Sequence, residues 1–342
     1  MTEISSYFPA EWETQSGVQL TWPDTATDWK RTLIEVLSVY EQIAKEILKH
    51  EKLLIVCRDK NSLPDFLQNN NEQLTIQEMP INDTWARDHG AITIIENGQP
   101  ALLNFRFNGW GMKFPANHDN QITSTLYQQK AFREGVRLHD LSYFTFEGGA
   151  IESNGTGCAL TTSECLLSKN RNEHLSQTAI EFLLKKTMYI EKVLWLHHGF
   201  LAGDDTDSHI DTLARFCNKN TIAYVKCTNT QDLHYDALQK MEVELKQMTD
   251  QNGQPFQLVP LPFPDPIYDN DGEQLPATYA NFLILNKAVL LPVYEIKQDF
   301  EAIEITKKLF PEHEIVPINS RPLIKQHGSI HCISMQFPIG VL

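Results

Sequence analysis

Five polar segments of the chain each follow an apolar stretch, and together they hold most of the side chains that could do chemistry. Cys332 lies in the last segment, between His331 and a run of apolar residues. A cysteine in this setting is either a packed thiol or a nucleophile, and taken alone the packed thiol is the more common case. The segments are NDTWARDHG (82–90), FEGGA (146–150), GDDTDSHID (203–211), PDPIYDNDGEQLPATY (264–279) and KQHGSIHC (325–332).

The residue types in these segments fit covalent chemistry on a planar cation. A cysteine attacks as its thiolate, which needs a base or a positive neighbour to form near neutral pH. His209 can carry protons, because imidazole titrates close to neutral pH. Two carboxylates that face each other repel unless a cation lies between them, and a guanidinium can donate parallel hydrogen bonds to each. A thiol, an imidazole and two acids therefore predict attack of sulfur on a guanidinium carbon.

Repeated secondary structure would bring these segments together. Helical periodicity is clearest at 28–49, and comparable stretches begin near residues 121, 175, 232 and 297. The second helix leads less regularly into LSYFTF (141–146), whereas the other four run directly into a short apolar strand. Those four strands are KLLIVC (52–57), KVLWLH (192–197), QLVPLP (257–262) and EIVPIN (314–319).

A pair of alternating strands joined by a turn follows four of the polar segments. Asn97–Gly98 and Asn154–Gly155 are dipeptides that favour the positive φ angles of tight hairpins. The final unit offers a single strand, IHCISMQF, which we expect to pair with the N-terminal segment. Five equivalent units that bury their apolar faces on one another predict one α/β domain over residues 1–342, a closed ring with the polar segments at one end.

Composition limits the partners. The chain has 29 basic and 44 acidic residues and a formal net charge of −15, which disfavours nucleic acid or an anionic membrane and suits a small cationic substrate. No signal peptide or membrane span is visible, and none of the six cysteines forms a C-x-x-C pair. We expect a cytoplasmic protein with reduced thiols and without a metal or cofactor.

Seven motifs occur in order along the chain: FPAEWETQSGVQLTWP, NDTWARDHG, EGGAIESNGTG, LLSKNRNEHLS, GDDTDSHIDTLARF, PATYANFLILN and GSIHCISMQ. Together they resemble the agmatine deiminase family, which includes the bacterial peptidylarginine-deiminase-type proteins within the guanidino-group-modifying superfamily. The resemblance runs from about residue 8 to about residue 337. It implies a pentein fold, a five-bladed α/β propeller of ββαβ units, in agreement with the five units counted above.

The resemblance also implies roles for individual residues. Cys332 in IHC resembles the nucleophile, and His209 in TDSHID resembles the general acid and base. Asp88 in WARD and Asp211 in HID resemble the pair that holds the guanidinium. The expected substrate-binding residues are these two aspartates with Trp85, Glu147, which would line the site, and Asp205, which could receive an amine.

The implied reaction is hydrolysis of agmatine to N-carbamoylputrescine and ammonia through an amidino-cysteine intermediate, a step of putrescine biosynthesis. A peptidylarginine or free-arginine deiminase would use the same catalytic set. Free arginine needs a cationic partner for its carboxylate, and the candidates are Arg87, Arg106, Arg215 and Arg321.

Two other classes of protein remain as alternatives. A non-catalytic module of this fold could bind a protein partner, but it has no need to keep Cys, His and paired acids together. A papain-like hydrolase expects its cysteine before its histidine in the chain, the reverse of the order here. For the oligomeric state, the hypothesis is a homodimer.

Three departures from the family pattern concern the substrate more than the amidine chemistry. Gln326-His327-Gly328-Ser329 stands where many members have a glycine-rich run, and TDSH stands where TDGH is common. EGGAIESNG stands where an aspartate often follows the first strand. His331 is expected to be structural, because it should alternate away from Cys332 along a strand. The other cysteines, 57, 158, 165, 217 and 227, are expected in the core on apolar strands.

Overall fold

The computed structural model describes residues 6–68 and 71–342 and has a mixed α/β architecture with several small β-sheets. Within these residues the strands are β1 (Gln15–Thr21), β2 (Lys52–Cys57), β3 (Leu74–Glu78), β4 (Ile92–Glu96), β5 (Gln99–Arg106), β6 (Arg137–Thr145), β7 (Ile151–Ser153), β8 (Cys158–Thr162), β9 (Lys192–Leu196), β10 (Ala214–Asn218), β11 (Thr221–Lys226), β12 (Gln257–Pro262), β13 (Leu283–Ile284), β14 (Ala288–Val293), β15 (Glu314–Asn319) and β16 (Ser334–Pro338).

The described strands form five sheets with one repeated pattern. Their orders are β16-β1-β2-β3, β4-β5-β6, β7-β8-β9, β10-β11-β12 and β13-β14-β15. In each sheet the first two strands are antiparallel and the third runs parallel to the second. A parallel step requires a crossover, and a helix provides it each time: α1 (Leu33–His50), α2 (Ile122–Gln128), α3 (Gln177–Met188), α4 (Tyr235–Gln247) and α5 (Gln298–Leu309).

The last strand joins the first sheet, as the sequence predicts. β16 pairs antiparallel with β1, and Val18 lies opposite Gln336. The strand is shorter than predicted, because residues 330–333 form a turn and the extended segment begins only at Ser334.

Most of the predicted elements are present with small differences in their ends. The strands at 52–57, 257–262 and 314–319 have the predicted bounds, whereas β6 begins four residues before the predicted strand. The first helix is interrupted, because Thr32 (φ −121°, ψ 17°) separates a short helix (Asp28–Arg31) from α1. α1 then buries one apolar face that includes Val36, Tyr40 and Ile43.

The two predicted hairpin turns differ from each other. Asn97 (φ 53°) and Gly98 (φ 74°) are both left-handed, as predicted. Asn154 is not left-handed, and its side-chain oxygen instead accepts hydrogen bonds from the backbone of Thr156 (3.0 Å) and Cys158 (2.9 Å). The second loop is therefore longer and is closed by an asparagine side chain.

The connections between sheets are equivalent in position and carry short helices. They span 79–91, 146–150, 197–213, 263–282 and 320–333, and each leads from the last strand of one sheet to the first strand of the next. The short helices Ala86–His89, Gly148–Ala150 and Ile210–Thr212 pack against one another in series. The other short helices are Lys60–Ser62, Asp65–Gln68, Gly109–Met112, Asp119–Gln121, Ser163–Leu166, Lys169–Asn172 and Arg321–Ile324.

All six cysteines are buried free thiols. The strand assignment was wrong for Cys165, which lies on the helix Ser163–Leu166, and for Cys227, which follows the end of β11. Within the described part of the chain, no helix has both the length and the apolar character that a membrane crossing requires.

Candidate active site

The inter-sheet connections, together with Asp28 and the connection after β5, line a cavity of about 110 Å³ that is strongly acidic. Five aspartates line it, and no lysine or arginine among the described residues does. Four of the seven predicted site residues are in its wall: Trp85, Asp88, Asp205 and Cys332. The remaining lining residues are Asp28, Asp83, Trp110, Phe114, Asp204, Thr206, Thr212, Gln326, His327 and Gly328.

Cys332 is held at the cavity wall by an amide. The side-chain oxygen of Asn281 lies 3.3 Å from both the backbone nitrogen and the Sγ of Cys332. Burial raises the pKa of this thiol well above its ordinary value, and the charges of Asp211 and Asp88 raise it further. Without a cation in the cavity, the sulfur therefore remains protonated.

Asp88 is fixed by one donor on each carboxylate oxygen. The backbone N–H of Gly149 donates to Oδ1 and the indole N–H of Trp110 donates to Oδ2, both at 2.9 Å. A Cβ atom on Gly149 would lie 2.5 Å from Nδ1 of His209 and 2.9 Å from Oδ1 of Asp88. Glycine is needed here because the backbone approaches both groups so closely.

His209 does not line the cavity and lies behind its wall, between two acids. Its Nδ1 is 3.6 Å from Oδ1 of Asp88, and its Nε2 is 3.6 Å from Oε2 of Glu147. Burial lowers the pKa of His209, but the charge of Asp88 and the other neighbouring anions outweigh it and raise the pKa well above its ordinary value. The ring is therefore set to donate a proton.

Glu147 contacts the site through His209 and does not line the cavity, which corrects the position expected from the sequence. Nε of Arg171 donates to both of its oxygens, at 3.0 and 2.8 Å. Burial raises the pKa of Glu147, but Arg171 outweighs burial and holds it below the ordinary range. Arg171 also contacts Asp207 (2.5 Å), so one guanidinium ties two loops together.

Asp211 is also buried behind the cavity wall and is anchored by a chain of polar contacts. Its Oδ2 is 2.7 Å from Nδ1 of His331, whose Nε2 is 2.8 Å from Oε2 of Glu11. Arg215 in turn donates to Glu11 (2.6 Å) and contacts Glu152. Oδ1 of Asp211 has no hydrogen-bond partner, so one acceptor remains for a ligand. The turn at 330–333 places His331 beside Asp211, where a regular strand would have turned it away.

The acidic run 204–207 divides into separate roles. Asp204 closes the loop by accepting from the backbone N–H groups of Thr206 and Ser208, and Asp207 pairs with Arg171 and Lys113. Asp205 lines the cavity, where burial raises its pKa to about 6 although His327 opposes the shift.

Aromatic rings form the remaining wall. Trp85 lies 5.5 Å from Trp29 and 6.4 Å from Trp110, measured between ring centroids. A Cβ on Gly328 would collide with the ring of Trp85. This position must therefore stay glycine although the rest of the 326–329 segment departs from a glycine-rich run.

None of the four arginines suggested as partners for a substrate carboxylate lines the cavity. Arg87 donates from Nε to the carbonyl of His331 (3.3 Å), and Arg215 belongs to the Glu11 ion pairs. Arg321 donates to the carbonyl of Tyr294 (2.5 Å), and Arg106 is exposed at the end of β5.

Several residues that complete the site had no role predicted from the sequence. Trp110 and Phe114 lie on the connection after β5, which is not one of the five polar segments. Glu11, Arg171 and Asn281 lie inside the quoted motifs FPAEW, LLSKNRN and PATYAN, which were the available signal.

The model of the Porphyromonas-type peptidyl-arginine deiminase family matches residues 7–338. This chain belongs to that family. A solved structure from Porphyromonas gingivalis, provisionally named an arginine deiminase, has 49% identity and a TM-score of 0.93, covering 98% of this chain and 99% of that one. The C. jejuni agmatine deiminase, solved with substrate bound, has 38% identity and a TM-score of 0.91, covering 98% and 97%. The agmatine deiminase of Medicago truncatula is 30% identical over 97% of this chain and 96% of its own.

One departure of this peptidyl-arginine deiminase family member has a structural explanation. Ser208 has φ +61°, and Asp207 before it has φ +66°. Glycine is common at the position of Ser208 because the left-handed region favours it. Here the backbone N–H of Ser208 donates to Asp204 (2.7 Å), which holds the serine in that conformation.

Replacing Arg215 tests whether the buried charges depend on it. We expect Arg215→Met to lower the free energy of unfolding by about 3–5 kcal/mol, because Glu11 and Glu152 would lose their buried cation. The matched control is Arg137→Met, whose ion pair with Glu96 is half-exposed and should contribute less than about 1 kcal/mol. Urea unfolding measures the free energy of unfolding of both variants. Equal losses of stability would contradict the dependence of Glu11 and Glu152 on Arg215.

Proposed function

We propose that this protein hydrolyses agmatine to N-carbamoylputrescine and ammonia through a covalent amidino-cysteine intermediate. The observation that carries the proposal is the cavity itself, which combines a thiol and five aspartates and has no lining lysine or arginine among the described residues. A ligand with a positive charge at each end would neutralise these acids. The relatives named agmatine deiminase support the same choice.

Asp88 and Asp211 are the proposed partners of the guanidinium. Asp88 lies in the wall beside Cys332, and Asp211 keeps one oxygen free. Burial raises the pKa of the Cys332 thiol, and the charges of Asp211 and Asp88 raise it further. A guanidinium between the two acids would offset their charges, so the bound substrate itself would promote the thiolate.

In the first half of the reaction, the Cys332 thiol releases its proton to solvent as the guanidinium binds, and the thiolate Sγ adds to the guanidinium carbon. His209 then donates a proton to the departing nitrogen, the C–N bond breaks, and ammonia leaves. The sulfur remains bonded to an amidinium carbon. Proton transfer by a positioned side chain contributes roughly 10²–10⁴-fold to rate.

In the second half, neutral His209 takes a proton from water as the water oxygen bonds to the amidinium carbon. The C–S bond breaks, the ureido product leaves, and Cys332 and His209 recover their protons. Glu147 stabilises the imidazolium form of His209 in both halves, while Arg171 keeps Glu147 ionised.

The other end of the cavity suits an amine better than an amino acid. Asp205 is the proposed partner of the primary ammonium of agmatine, and Trp85 provides a flat apolar wall for the methylene chain. Free arginine would add a carboxylate to a cavity lined by five aspartates. A volume of about 110 Å³ is below the roughly 300–1,000 Å³ of drug-sized ligand sites, which favours a short substrate.

A peptidylarginine substrate is the second candidate. A wider groove of about 680 Å³ shares Asp28, Asp83, Trp110 and Phe114 with the cavity. A peptide backbone in this groove could present an arginine side chain to Cys332, and the family name points to this class.

For the architecture, we propose a single domain in which the five sheets close into a five-bladed pentein ring. The repeated strand order and the shared sheet of β16 and β1 support closure. The six free thiols support a reducing compartment such as the cytoplasm.

A substrate panel tests the function. Agmatine, free arginine and an arginine-containing peptide would be supplied separately while ammonia and ureido product are measured. We expect turnover with agmatine, none in Cys332→Ser, and retained agmatine binding by that variant, because only the nucleophile is lost. Turnover of the peptide alone would replace the substrate and leave the mechanism standing, whereas folded protein without any turnover would favour a binding module.

The proposed role of Asp205 predicts a pH-dependent affinity. Its pKa is raised to about 6, so the carboxylate is ionised above that pH and is lost as pH falls through it. The agmatine Kd of Cys332→Ser should rise about tenfold between pH 7 and pH 5. Butylguanidine lacks the ammonium and serves as the matched ligand. Equal pH dependence for both ligands in calorimetric titrations would rule out this role.

His331 should affect activity by positioning Asp211. We expect His331→Gln to lower kcat on the order of 10²-fold, because Asp211 would lose the donor that orients it. His139→Gln is the control, since His139 lies at the surface beside Glu96. Steady-state kinetics would contradict the positioning role if both variants kept the wild-type kcat.

A further inference from the structure

Behind the cavity, three buried side chains bring together a sulfur, a nitrogen and an oxygen. Sγ of Cys165 lies 3.7 Å from Oε2 of Glu147, and Nε2 of His209 lies 3.6 Å from the same oxygen. All three ligand atoms lie within 4.8 Å of one another. The proposed hydrolysis assigns no role to Cys165.

The spacing of these atoms fits tetrahedral coordination. Zinc bonds are about 2.3 Å to sulfur, 2.0–2.1 Å to imidazole and 2.0–2.2 Å to carboxylate. Ligand atoms at the corners of such a tetrahedron lie roughly 3.4–3.6 Å apart. The separation of Sγ from Oε2, 3.7 Å, is about 0.1 Å longer than the tetrahedral value for sulfur and oxygen, and that of Nε2 from Oε2, 3.6 Å, is about 0.2 Å longer than the value for nitrogen and oxygen.

One ligand atom lacks a hydrogen bond. Nε2 of His209 is buried, the residue is 1% exposed, and its ion-pair partner Oε2 of Glu147 lies at 3.6 Å, beyond hydrogen-bond distance. A buried ring nitrogen without a hydrogen bond is unfavourable, and a metal ion would satisfy it after its proton is lost. Glu147 accepts from Arg171, but a carboxylate oxygen has a second lone pair for a metal.

A second cluster with similar residue types lacks this property. Glu11, Glu152 and His331 also lie close together. Both ring nitrogens of His331 already meet carboxylates, and Arg215 occupies Glu11 and Glu152. This cluster is a closed set of ion pairs.

We propose that Cys165, Glu147 and His209 form an inhibitory site for a borderline-soft divalent ion such as Zn²⁺, with one coordination position left for water. The Cys165 thiol and the His209 imidazolium each release a proton to solvent as the metal–sulfur and metal–nitrogen bonds form, and no oxidation state changes. Arg171 stays beside Glu147 and opposes the added cation, so binding is reversible and weaker than at a structural zinc site.

Occupation of this site removes the proton carrier from the proposed reaction. The metal uses the Nε2 lone pair of His209, so the ring can no longer exchange a proton there. Inhibition therefore rests on the proposed function, whereas metal binding does not. Spacing along the chain gave no sign of the site, because its ligands come from three separate segments.

Cobalt titration tests binding without measuring activity. Cobalt bound to a thiolate has a near-ultraviolet charge-transfer absorption. We expect this band at one equivalent of Co²⁺ in the wild type and in Cys332→Ser, and its loss in Cys165→Ser. Cys57→Ser, which removes a buried thiol on β2, is the matched control and should keep the band. Loss of the band in Cys332→Ser with retention in Cys165→Ser would overturn the proposal, as would no band in any form.

Two further measurements complete the test. The Zn²⁺ concentration that halves activity should rise at least tenfold in Cys165→Ser, while activity without metal is retained; an unchanged value would overturn the inhibitory role. X-ray absorption at the zinc edge of Cys332→Ser needs no Cys165 variant. A zinc coordination shell with one sulfur and one imidazole would support the site, and a shell without sulfur would contradict it.

Discussion

The central constraint on this molecule is that it buries more carboxylates than cations around one cavity. A buried charge is stable only when it is paired. Arg215 pairs with Glu11 and Glu152 on one side, and Arg171 pairs with Glu147 and Asp207 on the other. Asp88 and Asp211 lie near Cys332 and are paired with His209 and His331 rather than with an arginine. The protein is therefore arranged so that a cationic ligand completes its charge balance.

This imbalance accounts for the resting state of the reactive groups. Burial raises the pKa of Cys332 and the charges of Asp211 and Asp88 raise it further, whereas for His209 burial lowers the pKa and the neighbouring negative charge outweighs it. The sulfur stays protonated and the ring stays cationic until something positive enters. A nucleophile protected in this way does not react with neutral electrophiles, because the thiol is a far weaker nucleophile than the thiolate.

The repeated architecture was predictable from sequence, but the layering of the site was not. Apolar periodicity and the polar segments fixed the order of strands and helices, because both depend on local pattern. The positions of Asp88, Asp205 and Cys332 at the cavity followed from equivalent connections. Whether Glu147 and Asp211 line the cavity or lie behind it depends on Arg171 and His331, whose contacts join distant parts of the chain. Trp110 lay outside the repeat and gave no periodic signal.

The pairing of β1 with β16 also has a consequence for biosynthesis. During translation, one edge of β1 remains without a partner until the chain between Thr21 and Ser334 has been made. Unpaired strand edges are sites of mispairing, and contacts between distant parts of the chain form slowly. Because Glu11 precedes β1 and Cys332 precedes β16, the reactive centre is assembled only when the first sheet receives its last strand. A nascent chain therefore has no active thiol that it could expose prematurely.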